Sequence, residues 1–411
     1  MHQTAPVATG RGRNDWETIF FLAFIGMSMA FGIDASLPAF DEMRPDVNLP
    51  PGSNRITLAI TVYLLGMAAG QVVYGPVADR FGRAPTLRFG MAVYALGATG
   101  SMLATDFEFL LASRLVWGLG ASAASLMQLT IARDLFTGDR MARVMTTIMA
   151  VFLLGPVISP LVAEGILRVA SWRWVYAVGL LLAATIVAWS IRFGETLDPA
   201  NRRPLRVRPT IDAFRRVVTC RRTVLYASAL LFADSAFFIF LGSTQQVFDV
   251  IYGRADQFAV LFAASASVMV LGFIGANPAI GRWGAHRVGV FVLTTATVLS
   301  TTLLTLTLAA SGTPGFWTWF SLVAVSNTFL GLVTPVAMSK ALEPLGDVAG
   351  TAAGVLGLAT LTGASLLAAV VGMRIGTSTT PWSVGYLLYG TIALGLFIAA
   401  GRTPEPVPGG A

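Results

Sequence analysis

Uninterrupted apolar stretches alternate with short polar connections along the whole chain. Twelve stretches can be marked, at about 17–41, 55–78, 85–105, 108–134, 141–168, 172–192, 223–249, 255–281, 286–310, 315–341, 347–374 and 380–401. Each is long enough to cross a hydrocarbon core of about 30 Å as a helix. The pattern therefore predicts an all-α integral membrane protein with twelve transmembrane helices and the lipid bilayer as its main solvent. Composition agrees: 55% of residues are hydrophobic, only 12% are charged, and mean hydropathy is +0.71. A soluble domain carries about 25% charged residues. The opening MHQTAPVATGRGRNDW is polar and lacks the ordered regions of a cleaved signal, so the first helix is expected to stay in the mature protein.

The longest polar interruption is RFGETLDPANRRPLRVRPTIDAFRRVVTCRR, residues 192–222. It predicts an N-terminal six-helix bundle over 1–192, a cytoplasmic linker over 193–222 and a C-terminal six-helix bundle over 223–411. A short surface helix around Ile211–Val218 is expected within the linker, its arginines meeting anionic headgroups. The halves also resemble each other. Asp79-Arg80-Phe81-Gly82-Arg83 follows the second stretch, and Gly281-Arg282-Trp283-Gly284-Ala285 follows the eighth, 202 positions later. Aromatic, glycine and arginine keep register, as in duplicated transporter architectures whose binding site lies between two pseudo-symmetric halves.

A net charge of +7 could suggest an anionic partner, but its placement points elsewhere. Alternate connections carry Arg11 and Arg13; Arg80, Arg83 and Arg88; Arg133, Arg140 and Arg143; nine arginines from Arg192 to Arg222; Arg282 and Arg287; Lys340; and Arg402. The opposite set carries only Arg44, Arg55, Arg168, Arg173, Arg254 and Arg374. This asymmetry is the positive-inside pattern. It places both termini in the cytoplasm and gives no reason to expect nucleic acid as a partner. One cysteine, Cys220, excludes an intramolecular disulfide, and two histidines, His2 and His286, assemble no metal cluster of the usual spacing. Lys340, the one lysine, sits in no phosphate-binding loop, which argues against an ATP-hydrolysing enzyme.

The turn Gly75-Pro-Val-Ala-Asp79-Arg80-Phe-Gly82-Arg83 resembles the signature loop of the major facilitator superfamily, between its second and third helices. The resemblance implies a cytoplasmic gate. Asp79 would meet the start of the eleventh helix near Asp347, and Arg83 would pair with an acid at the end of the fourth, here Asp134. Three further stretches are similar to the drug:proton antiporter branch, in particular to bicyclomycin and chloramphenicol exporters: Asp34-Ala-Ser-Leu-Pro38-Ala, Arg114-Leu-Val-Trp-Gly118-Leu-Gly120-Ala, and Ala341-Leu-Glu343-Pro344-Leu-Gly346-Asp347. One stretch departs from that branch: Gly155-Pro156-Val-Ile-Ser159-Pro160 has Ser-Pro where two glycines are usual. Pro156 and Pro160 still remove backbone donors and are expected to make Gly155–Pro160 a hinge between the halves.

Asp34 is the informative charge. A carboxylate within a transmembrane helix costs about 2.5–3.5 kcal/mol on insertion scales and normally faces a partner or water. Asp34 and Arg114 fall at similar depth on helices of opposite direction, which predicts a direct or water-bridged interaction. A neighbouring arginine and burial act in opposite senses on a carboxylate's hold on its proton, so moving Arg114 would switch proton binding. Asp234, deep in the seventh stretch, is a second candidate for proton coupling. Met27, Phe31, Gln128, Phe238, Gln245 and Asn327 are the expected cavity wall, apolar with a few amides, suited to an amphipathic drug. Glu164 and Arg168 read as a solvated local pair, and Gly66 and Gly70 as close helix packing.

The expectation is thus a monomeric inner-membrane exporter of small amphipathic drugs, amphenicol or bicyclomycin-like or broader. It needs no cofactor and draws its energy from the proton gradient. A proton-coupled nutrient or metabolite symporter of the same fold is the alternative, and a membrane enzyme or channel fits the motifs less well.

Overall fold

The computed structural model describes residues 15–136, 155–199, 202 and 208–403. In the first half these form α1 (Asp15–Asp34), a short α2 (Phe40–Asp46), α3 (Leu58–Phe81), α4 (Arg83–Met102), α5 (Phe107–Leu135), α6 (Gly155–Leu167) and α7 (Arg173–Phe193). After α8 (Arg208–Thr219) come α9 (Arg221–Gln246), α10 (Phe258–Trp283), α11 (Ala285–Ala309), α12 (Phe316–Leu342), α13 (Ala349–Gly372) and α14 (Thr380–Gly401). Ten of the described helical spans are long and apolar enough to cross a membrane. The third expected span, α4, carries Arg83 and Arg88 and is less apolar; the fifth is described only as α6. The chain is a multi-pass, all-helical membrane protein.

The first apolar stretch was expected to form one helix to about residue 41. The structure ends α1 at Asp34 instead, turns through a 3-10 segment at Leu37–Ala39 and starts α2 at Phe40. Pro38 explains the break, because it has no N–H to give the Asp34 carbonyl four residues earlier. Asp34 therefore sits at a helix end, where backbone carbonyls lose their partners.

Within the first half, α3 and α4 both pack along α5. Small residues let them approach: a Cβ at Gly66 would lie 2.2 Å from the Leu115 carbonyl oxygen, and one at Gly70 would lie 2.6 Å from Ser122 Cβ. In membranes, where apolar burial gives little net drive, such close contact is a main source of helix association. In the second half, α9 is packed by α12, α13 and α14. The halves meet where α3 crosses α13 and α6 crosses α10.

Polar contacts between the halves gather at the end that carries α2. Asn54 Nδ2 donates to the Gly372 carbonyl at 3.1 Å, Gln246 Nε2 to the Gly52 carbonyl at 3.2 Å and Gln245 Nε2 to Asp41 Oδ2 at 3.3 Å. Arg44, almost wholly buried, bonds Asp41 on its own helix and stands 3.8 Å from Asp249 of the other half. These bonds close the α2 side. The linker helix α8 lies at the opposite end, against α13.

Candidate functional site

Asp34 is 2% exposed, and its Oδ1 has no hydrogen-bond partner. Arg114 lies on α5, fully buried, yet no ion pair within 4.0 Å joins the two among the described residues. Of the direct or water-bridged interaction expected, the direct form is therefore corrected. The guanidinium instead bonds residues two before and two after Asp34 in sequence. Nη1 donates to the Gly32 carbonyl at 2.9 Å, Nη2 donates to Ser36 Oγ at 2.7 Å, and Nε reaches the Ala59 carbonyl at 3.3 Å. The Gly32 carbonyl is in the last turn of α1, so Arg114 caps that helix with a positive charge at its negative end.

Three rings enclose the same guanidinium, with centroids 5.3 Å (Tyr63), 5.2 Å (Trp117) and 5.6 Å (Tyr176) from its carbon. A desolvated cation over an aromatic face gains about 2 kcal/mol or more. This box, together with the helix cap, explains how a buried arginine is held without a carboxylate. Neither Ser36 nor the three rings was singled out from the sequence. The available signals were the position of Ser36, two residues after a membrane-embedded acid, and that of Trp117, three residues after Arg114 on α5; Tyr63 and Tyr176 come from other helices and left no pattern.

The remaining candidates scatter. Asp234 lies on α9 and accepts a hydrogen bond from Thr334 Oγ1 of α12 at 2.9 Å. Phe238, one turn further on, lines a cleft between the halves with Thr61 and Leu64 of α3 and Ser365 and Ala369 of α13. Gln128 is spent within the first half: its Nε2 donates to the Leu22 carbonyl at 2.7 Å, and Gly26 leaves the room it needs. Asn327 likewise receives the Tyr386 hydroxyl at 3.3 Å within the second half. Phe31 packs with Ala163 and Val175, and Gln245 belongs to the closure at the α2 side. Of the expected wall, Phe238 borders a space between the halves and Met27 stays half-buried on α1; the other four serve packing or pinning. Gly155 begins α6 against Ala30, and Pro160 lies inside that helix. Residues 137–154 and the Pro156 side chain lie outside the described residues.

At the linker side, Arg83 holds the turn between α3 and α4. Its Nη1 donates to Asp79 Oδ1 at 2.7 Å, and its Nε donates to Asp134 Oδ2 at 3.0 Å. Glu195, beyond α7, caps the start of α4 by accepting from the backbone N–H groups of Arg83 at 2.9 Å and Ala84 at 3.2 Å. Gly82 makes this possible: its φ is +106°, and a Cβ there would lie 2.3 Å from Glu195 Oε2. Gly284, its counterpart in the repeat, joins α10 to α11 with φ +81°. Gly75 has open space beside it, and Arg80 is exposed.

The turn, its repeat and the two bundles agree with a comparison of the whole chain. A family model described as Major Facilitator Superfamily matches residues 20–368. The chain belongs to the Major Facilitator Superfamily. Like its relatives it is a transporter and not an enzyme. One relative within the superfamily is a bicyclomycin resistance protein homolog of Haemophilus influenzae, 30% identical over 374 residues, covering 88% of this chain and 90% of that one. Another is multidrug resistance protein D of Escherichia coli, 28% identical over 366 residues and covering 86% and 87%. A crystal structure of a D-xylose-proton symporter superposes with a TM-score of 0.74 over 95% of this chain and 99% of the other, at 14% identity, which is a likeness of superfamily fold alone.

Proposed function

We propose that the protein exports small amphipathic drugs in exchange for protons, by alternating access, with Asp34 as the principal proton carrier. The observation that carries the reading is an acid buried at a helix break with an unpartnered oxygen. Such a group is costly to keep for structure alone. Relatives named for drug resistance support the substrate class. The protein sits in the inner membrane with cytoplasmic termini, a reading supported by the arginine asymmetry. On that orientation the α2 side is external, and the polar contacts between the halves close it. Asp234, bonded to Thr334, is the reserve proton site.

The second reading is a nutrient symporter of the same fold. In inverted vesicles the two differ in the direction of substrate movement. A panel of amphenicols, bicyclomycin-like compounds and broader cationic and neutral drugs, assayed with and without an imposed proton gradient, tests the proposal. Gradient-dependent uptake of at least one drug into inverted vesicles is expected. Movement of no drug in the panel, with a nutrient moving inward in whole cells, would overturn it.

A further inference from the structure

Closing the α2 side brings two acids together around one cation. Arg44 Nη1 bonds Asp41 on its own helix and stands 3.8 Å from Asp249 Oδ2, which lies in the turn after α9 in the other half. One nitrogen thus faces both carboxylates, and these lie close enough to each other to share a proton. Gln245 Nε2 ties Asp41 Oδ2 to the half that carries Asp249, at 3.3 Å. The Arg44 side chain is 2% exposed, whereas that of Asp41 is 42% and that of Asp249 27%, so solvent reaches the acids and not the arginine. The other charges at this side are taken up or solvated: Asp46 is bonded by Arg173 and Arg254 bonds Gln257, while Glu42, Arg55, Asp256 and Arg374 are exposed.

We propose that Asp41 and Asp249 form a second proton-binding site, which takes up a proton as the two halves close on the α2 side. Asp41 already neutralises Arg44, so Asp249 arrives as a second carboxylate at a site with one cation. Like charges brought together disfavour ionising both, and partial burial acts in the same sense. Apart, each acid faces solvent, and Asp41 keeps Arg44 because both are on α2. The closed side therefore binds the proton more tightly than the open one, and by linkage acid favours closing and alkali favours opening. The closed seam also has spare polar groups, since Arg44 Nη2 and Gln245 Oε1 are buried without a partner, which lowers the cost of parting it. With the α2 side external, a proton taken from outside favours the closing step that follows drug release. That last step rests on the orientation proposed above; the acid pair itself does not.

The closing movement itself is the readout. Nitroxide labels on Thr105→Cys and Thr313→Cys, exposed positions of the two halves at the α2 side, in a Cys220→Ser background, give the separation by pulsed electron paramagnetic resonance in lipid nanodiscs. From about pH 8 to about pH 5 the ratio of short to long distances should rise about tenfold. Asp249→Asn, which cannot titrate, should stay mainly closed at both pH values, and Asp249→Ala should lose the pH response as well. Asp34→Asn should keep it. An unresponsive parent, a gain of the long distance on acidification, or a response that persists in either Asp249 variant overturns the proposal. A response lost in Asp34→Asn overturns it too, assigning the closing proton to Asp34 and leaving the carrier reading in place. A response kept in Asp34→Asn, with uphill export by that variant intact, removes the carrier reading and leaves this one.

Discussion

Asparagine at Asp34 should abolish uphill export while leaving the protein folded. The substitution keeps size and a hydrogen-bonding group but cannot titrate. A proton gradient of one pH unit supplies about 1.4 kcal/mol per proton, enough for about a tenfold drug gradient; a potential of 100 mV adds about 2.3 kcal/mol for each net charge moved. Without a titrating carrier neither source reaches the drug, and the accumulation ratio should fall to about one. Binding of a neutral drug should persist and that of a cationic drug weaken. Stability should not suffer, because Asp34 Oδ1 makes no bond that is lost. Drug accumulation in inverted vesicles under an imposed pH gradient reads the result. Arg114→Ala should act differently: with the cation gone from the last turn of α1, the pH profile should move in the alkaline direction.

The second large effect is expected at the linker-side turn. Arg83 is 8% exposed at its side chain, Asp134 20% and Asp79 48%. Breaking a buried pair by removing one partner costs about 3–5 kcal/mol, whereas an exposed pair contributes about 0–1 kcal/mol. The Arg83–Asp134 bond falls between these limits and nearer the first, and the Arg83–Asp79 bond nearer the second. Arg83→Ala leaves Asp134 with the Thr196 hydroxyl at 3.2 Å as its described side-chain partner. Arg83→Ala and Asp134→Asn should therefore slow the maximal transport rate strongly with little change in drug affinity, and Asp79→Asn should destabilise the turn less than either. Rates and affinities measured on the same vesicles check this. A variant that binds drug far more weakly yet cycles at the parental rate would contradict the gating role.

The membrane fold was legible because twenty-residue apolar runs have one economical solution in lipid, and the turn at 79–83 because its chemistry is local. The pairing of Arg83 with Asp134 could be expected from the resemblance, but Glu195 could not; nothing near it in sequence announces that it caps α4. The end of α1 was missed because hydropathy continues past Asp34 to Phe40, whereas the backbone stops where Pro38 withholds its N–H. The cavity wall was the least legible part. Helical periodicity puts Gln128 and Asn327 on an inward face, but it does not say whether the neighbour on that face is a space or another helix. For these two the neighbours are the Leu22 carbonyl and the Tyr386 hydroxyl. Depth alone put Arg114 level with Asp34; only the three-dimensional arrangement shows that the end of α1 and three rings from separate helices hold the same cation together.

The central claim, exchange of drug for protons, is tested most directly by proton movement itself. In proteoliposomes loaded with a pH-sensitive dye and lacking any imposed pH gradient, an outward drug gradient should drive protons inward, acidifying the lumen. The same vesicles with Asp34→Asn should show drug leaving without a pH change. Alkalinisation of the lumen as drug leaves would mean that drug and protons move together, and a parental protein that moves drug with no pH change would mean that protons are not coupled to it; either result contradicts the account.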